Sequence, residues 1–317
     1  MDAEQEWVWV PFEVDKKFDG QRIDQFLTAR LTGYSRSKVQ KILAAARVHK
    51  AGRPAKSNAK VKTGDKIEVA YLRRPEPALA PDASLPVLFE DADLILVNKP
   101  GDLLSHPTDK VVTNTVLGIL RHSRADLPKL HLLHRLDRET SGVLALAKNA
   151  KTARAWTSLM QRHQIQKEYL ALLHGHLKSS EGRISQPIGR AGGEIRVRQW
   201  VNVPVAVEAV TQYKVLRRRA DYTVVRAWPK TGRLHQIRVH FAALGHPLLG
   251  DPLYTDEGAI YKKMIAGTCT AADRASLGFF RVALHAAALS FDHPSSGASL
   301  RIEAPLLDRD FAEMIET

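Results

Sequence analysis

The stretch His134-Arg135-Leu136-Asp137-Arg138-Glu139-Thr140-Ser141-Gly142 leads directly into the apolar run Val143-Leu144-Ala145-Leu146-Ala147. The apolar run predicts a buried strand, and the glycine before it is typical of a turn. Asp137 lies between two arginines, whose charges favour an ionised carboxylate. Such a carboxylate can serve as nucleophile or base in a positively charged site. The alternative is a structural salt bridge within a loop.

Further apolar runs on both sides of this stretch predict a β-rich domain. We expect strands at 87–90, 94–98, 169–173, 210–216, 222–228 and 284–291, and a helix around Trp156. Many strands with few helices indicate a mixed, largely antiparallel sheet with flanking helices, not a regular βαβ series. The fold class expected for the chain is α+β, with a small α/β domain preceding this larger one.

The positive charge is concentrated before the large domain. The 317-residue chain has 47 Lys and Arg against 34 Asp and Glu, a net charge of +13, and residues 15–75 contribute 16 against 5, or +11. This cluster favours an anionic partner, most often nucleic acid. Apolar spacing predicts two short helices around Phe26 and Leu43, followed by strands around Val48 and Ile67. The helices carry the basic residues expected to contact RNA: Arg22, Arg36, Lys38 and Lys41.

Composition also predicts the domain boundaries. Residues 1–14 have a net charge of −4 and form an expected N-terminal segment, and residues 15–75 form the basic domain. Four prolines at 75, 77, 81 and 86 exclude a helix or central strand, so we expect a linker at 76–86. The large domain is expected at 87–317.

Several classes of protein are excluded by the composition. Hydrophobic residues make up 44% of the chain, which is enough to bury a core. No window approaches the roughly 18 apolar residues of a membrane helix, and the acidic N-terminus is no secretory signal. The single Cys269 excludes a disulfide framework. We expect a cytoplasmic monomer without an obligate protein partner. We also expect no metal site, because His131, His134 and Asp137 have no matching ligand pair elsewhere.

The quoted stretch resembles the HRLDxxTSG signature of RluA-type pseudouridine synthases. Supporting segments follow in the family's order: Asn98–Gly101, Lys167–Ala171, Thr231–His240, Gly245–Asp251 and Leu284–Ala286. Together they cover about residues 87–305. The resemblance implies the pseudouridine synthase fold and an isomerase that needs no cofactor. In that reaction the bond from uracil N1 to the ribose is broken, the base rotates, and C5 is joined to the same sugar carbon.

The resemblance also implies roles for individual residues. Asp137 would be the essential carboxylate, Tyr169 would stack on the target uracil, and Arg238 would pair with Asp137. Arg135 would fill the gap left by the extruded base. From the residues alone, Tyr169 could equally be a core tyrosine and Arg238 could face solvent.

Helical spacing after residue 230 gives independent information on Arg238. Leu234, Ile237, Phe241 and Leu244 form one apolar stripe, with Arg238 off it and Gly245 at the helix end. Arg233 would lie near the helix N-terminus, where a bound phosphate would offset its unfavourable position. The alternative for Arg233 is ordinary surface charge.

Residues 18–70 resemble the S-four RNA-binding domain, in which a helical pair presents a basic face to structured RNA. Family members with this module commonly modify large-subunit ribosomal RNA, which is therefore the expected substrate. Transfer RNA is the alternative within the same class. A non-catalytic RNA-binding ribosome assembly factor is the alternative from another class.

Overall fold

The computed structural model describes residues 6–31, 36–73, 78–108, 111–127 and 129–316. The chain divides into two compact units, Met1–Pro77 and Ala78–Thr317. Each unit has its own core of buried apolar side chains.

The first unit packs two helices on a small antiparallel sheet. Its elements are β1 (Glu6–Glu13), α1 (Ile23–Arg30), α2 (Arg36–Ala44), β2 (Val48–Lys50), β3 (Arg53–Pro54) and β4 (Lys66–Arg73). The strand order is β1-β4-β2-β3. Phe26 and Leu27 of α1 are fully buried together with Val39 of α2, as their helical spacing predicts.

The N-terminal segment predicted at residues 1–14 is not separate from the first unit. Strand β1 pairs with β4 along its whole length, from Glu6 opposite Arg73 to Glu13 opposite Lys66. Its sequence, EWVWVPFE, is rich in aromatic and β-branched residues, which favour a strand. The change of charge after residue 14 therefore does not mark a boundary between a separate segment and the first unit.

The second unit is a large sheet with helices around it. Its elements are β5 (Val87–Glu90), β6 (Leu94–Lys99), α3 (Val116–Ser123), β7 (His131–Leu132), β8 (Ser141–Ala147), α4 (Ala150–Gln161), β9 (Gln166–His174), β10 (Glu181–Ile184), β11 (Ile188–Arg190), β12 (Gln199–Val201), β13 (Thr211–Arg218), β14 (Tyr222–Pro229), α5 (Gln236–Ala243), α6 (Ala259–Ala266), α7 (Ala271–Ala275), β15 (Leu284–Asp292), β16 (Ser299–Glu303) and α8 (Arg309–Glu316).

Ten of these strands form one sheet. The main order is β10-β13-β14-β9-β15-β8-β6-β5, with β7 beside β8 and β16 beside β15. Neighbouring strands in this sheet run antiparallel except β15 and β8, which pair in parallel at the centre. The predicted α+β class and largely antiparallel sheet are confirmed. Among the helices described, none combines the length and apolar character needed to span a membrane.

Part of the stretch predicted as a linker at 76–86 belongs to the second unit. Leu85 is buried, and Leu79 and Ala83 pack on the same apolar cluster, which includes Ile95 and Leu144. Prolines prevent this stretch from forming a helix or a central strand, but the apolar side chains between them remain able to pack.

Helix α5 differs from its predicted pattern. Leu234 and Leu244, at the two ends of the expected stripe, are 50% and 41% exposed. The residues from Gln236 to Phe241 are all buried, so the helix is enclosed on every side and not only along one stripe. Arg238 is among the buried residues. The alternative of a solvent-facing arginine is therefore wrong.

Candidate active site

The turn that carries Asp137 is held by side chains that come from elsewhere in the sequence. This Asp137 turn, residues 133–140, connects β7 to β8. Ser105 Oγ donates to Leu136 O at 2.8 Å, Lys99 Nζ donates to Arg138 O at 2.9 Å, and Arg281 Nη1 donates to Glu139 O at 3.0 Å. Three carbonyls that lack sheet partners are thereby satisfied, which fixes the backbone on both sides of Asp137.

The end of the turn depends on a glycine. Gly142 has φ +112°, and a Cβ there would lie 2.2 Å from the carbonyl oxygen of Ala286. These two residues are paired in the central parallel contact between β15 and β8. Only glycine allows the two strands to approach so closely at this point.

Arg238 connects two carboxylates across the site. Its Nε and Nη2 donate to Asp251 at 2.6 and 2.9 Å, and its Nη1 donates to Asp137 Oδ2 at 3.1 Å. The Asp251 side chain is fully buried, whereas that of Asp137 is 29% exposed. The paired geometry with Asp251 fixes the plane of the guanidinium, which then presents one N–H to Asp137.

The charge of Arg238 is retained despite its burial. Burial alone would lower the pKa of Arg238, but Asp251 and Asp137 raise it above its ordinary value. A charged guanidinium stabilises the ionised form of a neighbouring carboxylate. The site therefore contains a carboxylate that is partly accessible, fixed in position and in contact with a charged guanidinium.

Tyr169 lies on β9 and lines the same cavity as Asp137. Its partners on the neighbouring strands are Ala227 and Ala286, and its ring packs against apolar clusters on this side of the sheet. Burial and the charge of Asp137 raise the pKa of Tyr169, so the phenol is protonated near pH 7. The structure therefore brings together all three predicted catalytic residues, Asp137, Tyr169 and Arg238.

The cavity has a volume of about 380 Å³. This volume lies in the range of small-ligand sites, about 300–1,000 Å³. Arg135 and Arg233 both line it and are both exposed. Arg233 Nε donates to Glu208 O at 2.8 Å, so part of this guanidinium is already bound within the protein.

The predicted RNA-binding residues of the first unit form two groups. Arg22 and Arg36 both pair with Asp24, at 3.0 and 3.2 Å, and the Asp24 side chain is completely buried. The hydrogen bond from Arg22 is the largest of the influences that lower the pKa of Asp24 to about 2. Lys38 and Lys41 are exposed on α2, as Arg36 is. Arg22 and Arg36 thus have a structural partner that sequence reasoning did not identify.

No group of three or more His, Cys, Asp or Glu in the described part of the chain is arranged to hold a metal ion. His134 Nε2 accepts a hydrogen bond from the backbone N–H of Ala145 at 3.2 Å. Burial lowers the pKa of His134 to about 3, so it is a neutral structural residue.

Sequence reasoning missed two residues beside the Asp137–Arg238 pair. Asp251 is the last residue of the Gly245–Asp251 segment. The sequence signal that could have identified it is the pair Gly250-Asp251 after the predicted helix. Gly250 has φ +73°, and a Cβ there would lie 1.6 Å from Arg281 O, so this backbone also needs glycine. His235 reaches the cavity with Nε2 3.9 Å from Asp137 Oδ2. Its only signal was its position three residues before Arg238.

A largely antiparallel sheet with an aspartate, a tyrosine and an arginine around one cavity agrees with what the resemblance to RluA-type pseudouridine synthases implies. The profile of the family described as RNA pseudouridylate synthase matches residues 93–243. An uncharacterized RNA pseudouridine synthase, YlyB of Bacillus subtilis (strain 168), is 34% identical over 307 residues, covering 93% of each chain. Ribosomal large subunit pseudouridine synthase D of Escherichia coli (strain K12) is 35% identical over 302 residues, covering 94% of this chain and 90% of that one.

Solved structures agree with these sequence matches. The human RNA pseudouridylate synthase domain containing 1 superposes with a TM-score of 0.57 and 28% identity, covering 73% of this chain and 86% of that one. The chain belongs to the family of RNA pseudouridine synthases. It is therefore assigned as an enzyme, and the alternative of a non-catalytic assembly factor is not supported.

Proposed function

We propose that this enzyme converts uridines of large-subunit ribosomal RNA to pseudouridine, with Asp137 as the essential carboxylate. The observation that carries the proposal is the Asp137–Arg238 contact at 3.1 Å in the cavity that Tyr169 also lines. The ribosomal substrate is supported by relatives of about 35% identity that are named for the large subunit. A cytoplasmic location follows from this substrate.

The geometry supports a defined role for each residue. Arg238, oriented by Asp251, holds Asp137 in place at the cavity, where Asp137 acts as nucleophile or base. Tyr169 provides an apolar ring face for the uracil. A uridine within folded RNA must be extruded at a cost of a few kcal/mol, and exposed Arg135 at the cavity takes the vacated position.

The first unit is proposed to bind the same RNA as an S-four-like domain. The support is its basic composition and the exposure of Lys38 and Lys41 on α2. Phosphate contacts of this kind increase affinity without reading sequence. Because Arg22 and Arg36 are paired with Asp24, we expect them to contribute less to RNA affinity than Lys41.

Pseudouridine mapping of total RNA from cells with and without the protein tests the proposal. We expect one or more large-subunit sites to disappear without the protein and to return with the wild-type chain but not with Asp137→Asn. Sites that disappear from transfer RNA instead would refute the ribosomal assignment. Sites that return fully with Asp137→Asn would refute the role of the carboxylate.

A further inference from the structure

His235 occupies an unusual backbone position at the edge of the cavity. It precedes α5 with φ +57° and ψ +18°, the left-handed region that residues other than glycine seldom adopt. No hydrogen bond from its side chain caps the helix. The strained backbone instead directs the imidazole toward Asp137, and strained residues of this kind are concentrated at functional sites.

The hydrogen bonds around His235 define which ring nitrogen carries the proton. His235 Nδ1 lies 2.9 Å from the hydroxyl of Tyr254, and that hydroxyl oxygen accepts the backbone N–H of Gln199 at 3.1 Å. Among the described residues, Nδ1 is the acceptor available to the Tyr254 proton. Nδ1 is therefore unprotonated, and the proton lies on Nε2.

Tyr254 is itself held firmly. It is 4% exposed, and its ring lies between Trp200, stacked at 6.3 Å, and the guanidinium of Arg238, 5.2 Å from the ring centre. Burial lowers the pKa of His235 to about 4, so the imidazole is neutral near pH 7. A chain of hydrogen bonds from Gln199 through Tyr254 thus leaves one N–H donor facing the cavity.

The distance between this donor and Asp137 determines what kind of group fits between them. His235 Nε2 and Asp137 Oδ2 are 3.9 Å apart, which is too far for a direct hydrogen bond. A single oxygen about 2.8 Å from each atom bridges the gap. That oxygen has to accept a hydrogen bond from Nε2–H and donate one to the carboxylate, which a hydroxyl does. A uracil carbonyl only accepts, and the uracil N3–H only donates.

We propose that His235 binds the ribose 2′-hydroxyl of the target uridine, holding it between Nε2–H and the carboxylate of Asp137. Within an RNA chain the 3′ and 5′ oxygens are esterified, so the 2′-hydroxyl is the hydroxyl that the sugar offers. The contact makes His235 a residue that distinguishes RNA from DNA at the reacting nucleotide. The inference rests on the proposed role of Asp137.

The test measures binding of a product that cannot react further. The probe is a short RNA hairpin carrying pseudouridine at the mapped position, prepared with either a 2′-hydroxyl or a 2′-deoxy sugar at that nucleotide. We expect the wild-type enzyme to bind the hydroxyl form about tenfold more tightly, the effect of one hydrogen bond. In His235→Asn the ratio falls to within about twofold, because only the hydroxyl form loses affinity. Asparagine is chosen because it tolerates the left-handed backbone.

Two further variants separate recognition from folding. Tyr254→Phe keeps the imidazole but removes the O–H that fixes its tautomer, and we expect it also to lower the ratio. His246→Gln changes a half-buried histidine outside the cavity and leaves the ratio at the wild-type value. If His235→Asn does not fold, the Tyr254→Phe ratio decides the question.

Three results overturn the inference: a wild-type ratio near one, an unchanged ratio in His235→Asn, or an equal loss of affinity for both sugars. Failure of the proposed function is detected separately. In that case the wild-type enzyme releases no tritium from RNA labelled at uridine carbon 5, whatever the binding ratio.

Discussion

Two aspartates contact the same arginine, and replacing each by asparagine should affect stability and turnover in opposite order. Asp251 is fully buried and accepts two hydrogen bonds from Arg238, whereas Asp137 is 29% exposed and accepts one. Removing one partner of a buried ion pair costs about 3–5 kcal/mol. Since Asp137 still offsets part of the charge, we expect Asp251→Asn to cost about 3 kcal/mol. That corresponds to a fall in Tm of roughly 6–12 °C for a domain of this size.

Asp137→Asn leaves Arg238 neutralised by Asp251 and loses one partly exposed contact. We expect a loss of about 1 kcal/mol, or roughly 2–4 °C in Tm, with RNA affinity nearly unchanged. Activity should follow the reverse order. Asp137→Asn should lower turnover by more than about 10³-fold, because it removes the reacting group. Asp251→Asn should lower it about 10²-fold by misplacing the carboxylate.

Thermal unfolding ranks the variants by stability, and tritium release from carbon-5-labelled uridine RNA ranks the same samples by turnover. Asp102→Asn is the control. Asp102 pairs with Arg138 of the Asp137 turn, but both side chains are more than half exposed. It should change neither quantity measurably. An Asp251→Asn enzyme as stable as wild type, or an Asp137→Asn enzyme within tenfold of wild-type turnover, would refute this account of the site.

Three further outcomes are expected. Tyr169→Phe keeps the ring and should slow a proton-transfer step roughly 10²–10⁴-fold at unchanged affinity in single-turnover assays; wild-type rates would exclude a role for the hydroxyl. Removing residues 1–77 should leave the second unit folded but weaken RNA binding and flatten the salt slope by roughly 0.7–0.9 per lost phosphate contact. If activity is lost while the slope is unchanged, the first unit is a structural part of the enzyme. Burial lowers the pKa of His285 to about 4, so between about pH 6.5 and pH 4 the unfolded state binds more protons than the folded state. The free energy of unfolding should therefore fall as the pH decreases through this range, by up to about 1.4 kcal/mol per pH unit. Denaturant titrations of His285→Gln should show a shallower fall, and an equal slope would contradict this assignment.

Local patterns in the sequence were sufficient to predict most of the strands and the turn before β8. The apolar run from Val143 to Ala147 became a fully buried strand, as its length and the preceding glycine predict. The burial of Arg238 was not predictable in this way, because its partners lie 101 residues before it and 13 after it. Periodicity indicates which face of a helix is apolar, but it does not indicate that neighbouring elements will enclose the polar face as well.

The basic first unit shows a second limit of sequence reasoning. Net charge correctly located an excess of cations, but it did not identify the two that pair with a buried acid. The signal was Asp24, an acid in the first turn of α1 that lies between the apolar Ile23 and Phe26. A buried aspartate requires partners, and two arginines provide them.

Buried polar groups also require partners elsewhere in the chain, and several Lys and Arg side chains provide them. Lys99 is fully buried, and its Nζ donates to the carbonyls of Pro100, Leu103 and Arg138. Burial lowers the pKa of Lys99 to about 7, but three carbonyl acceptors match the three N–H donors of the ammonium form. Arg281 likewise satisfies a carbonyl of the Asp137 turn. Both contacts hold the backbone of the Asp137 turn. If the proposed function is correct, we expect RNA affinity to depend on the exposed cations and catalysis to depend on the buried ones.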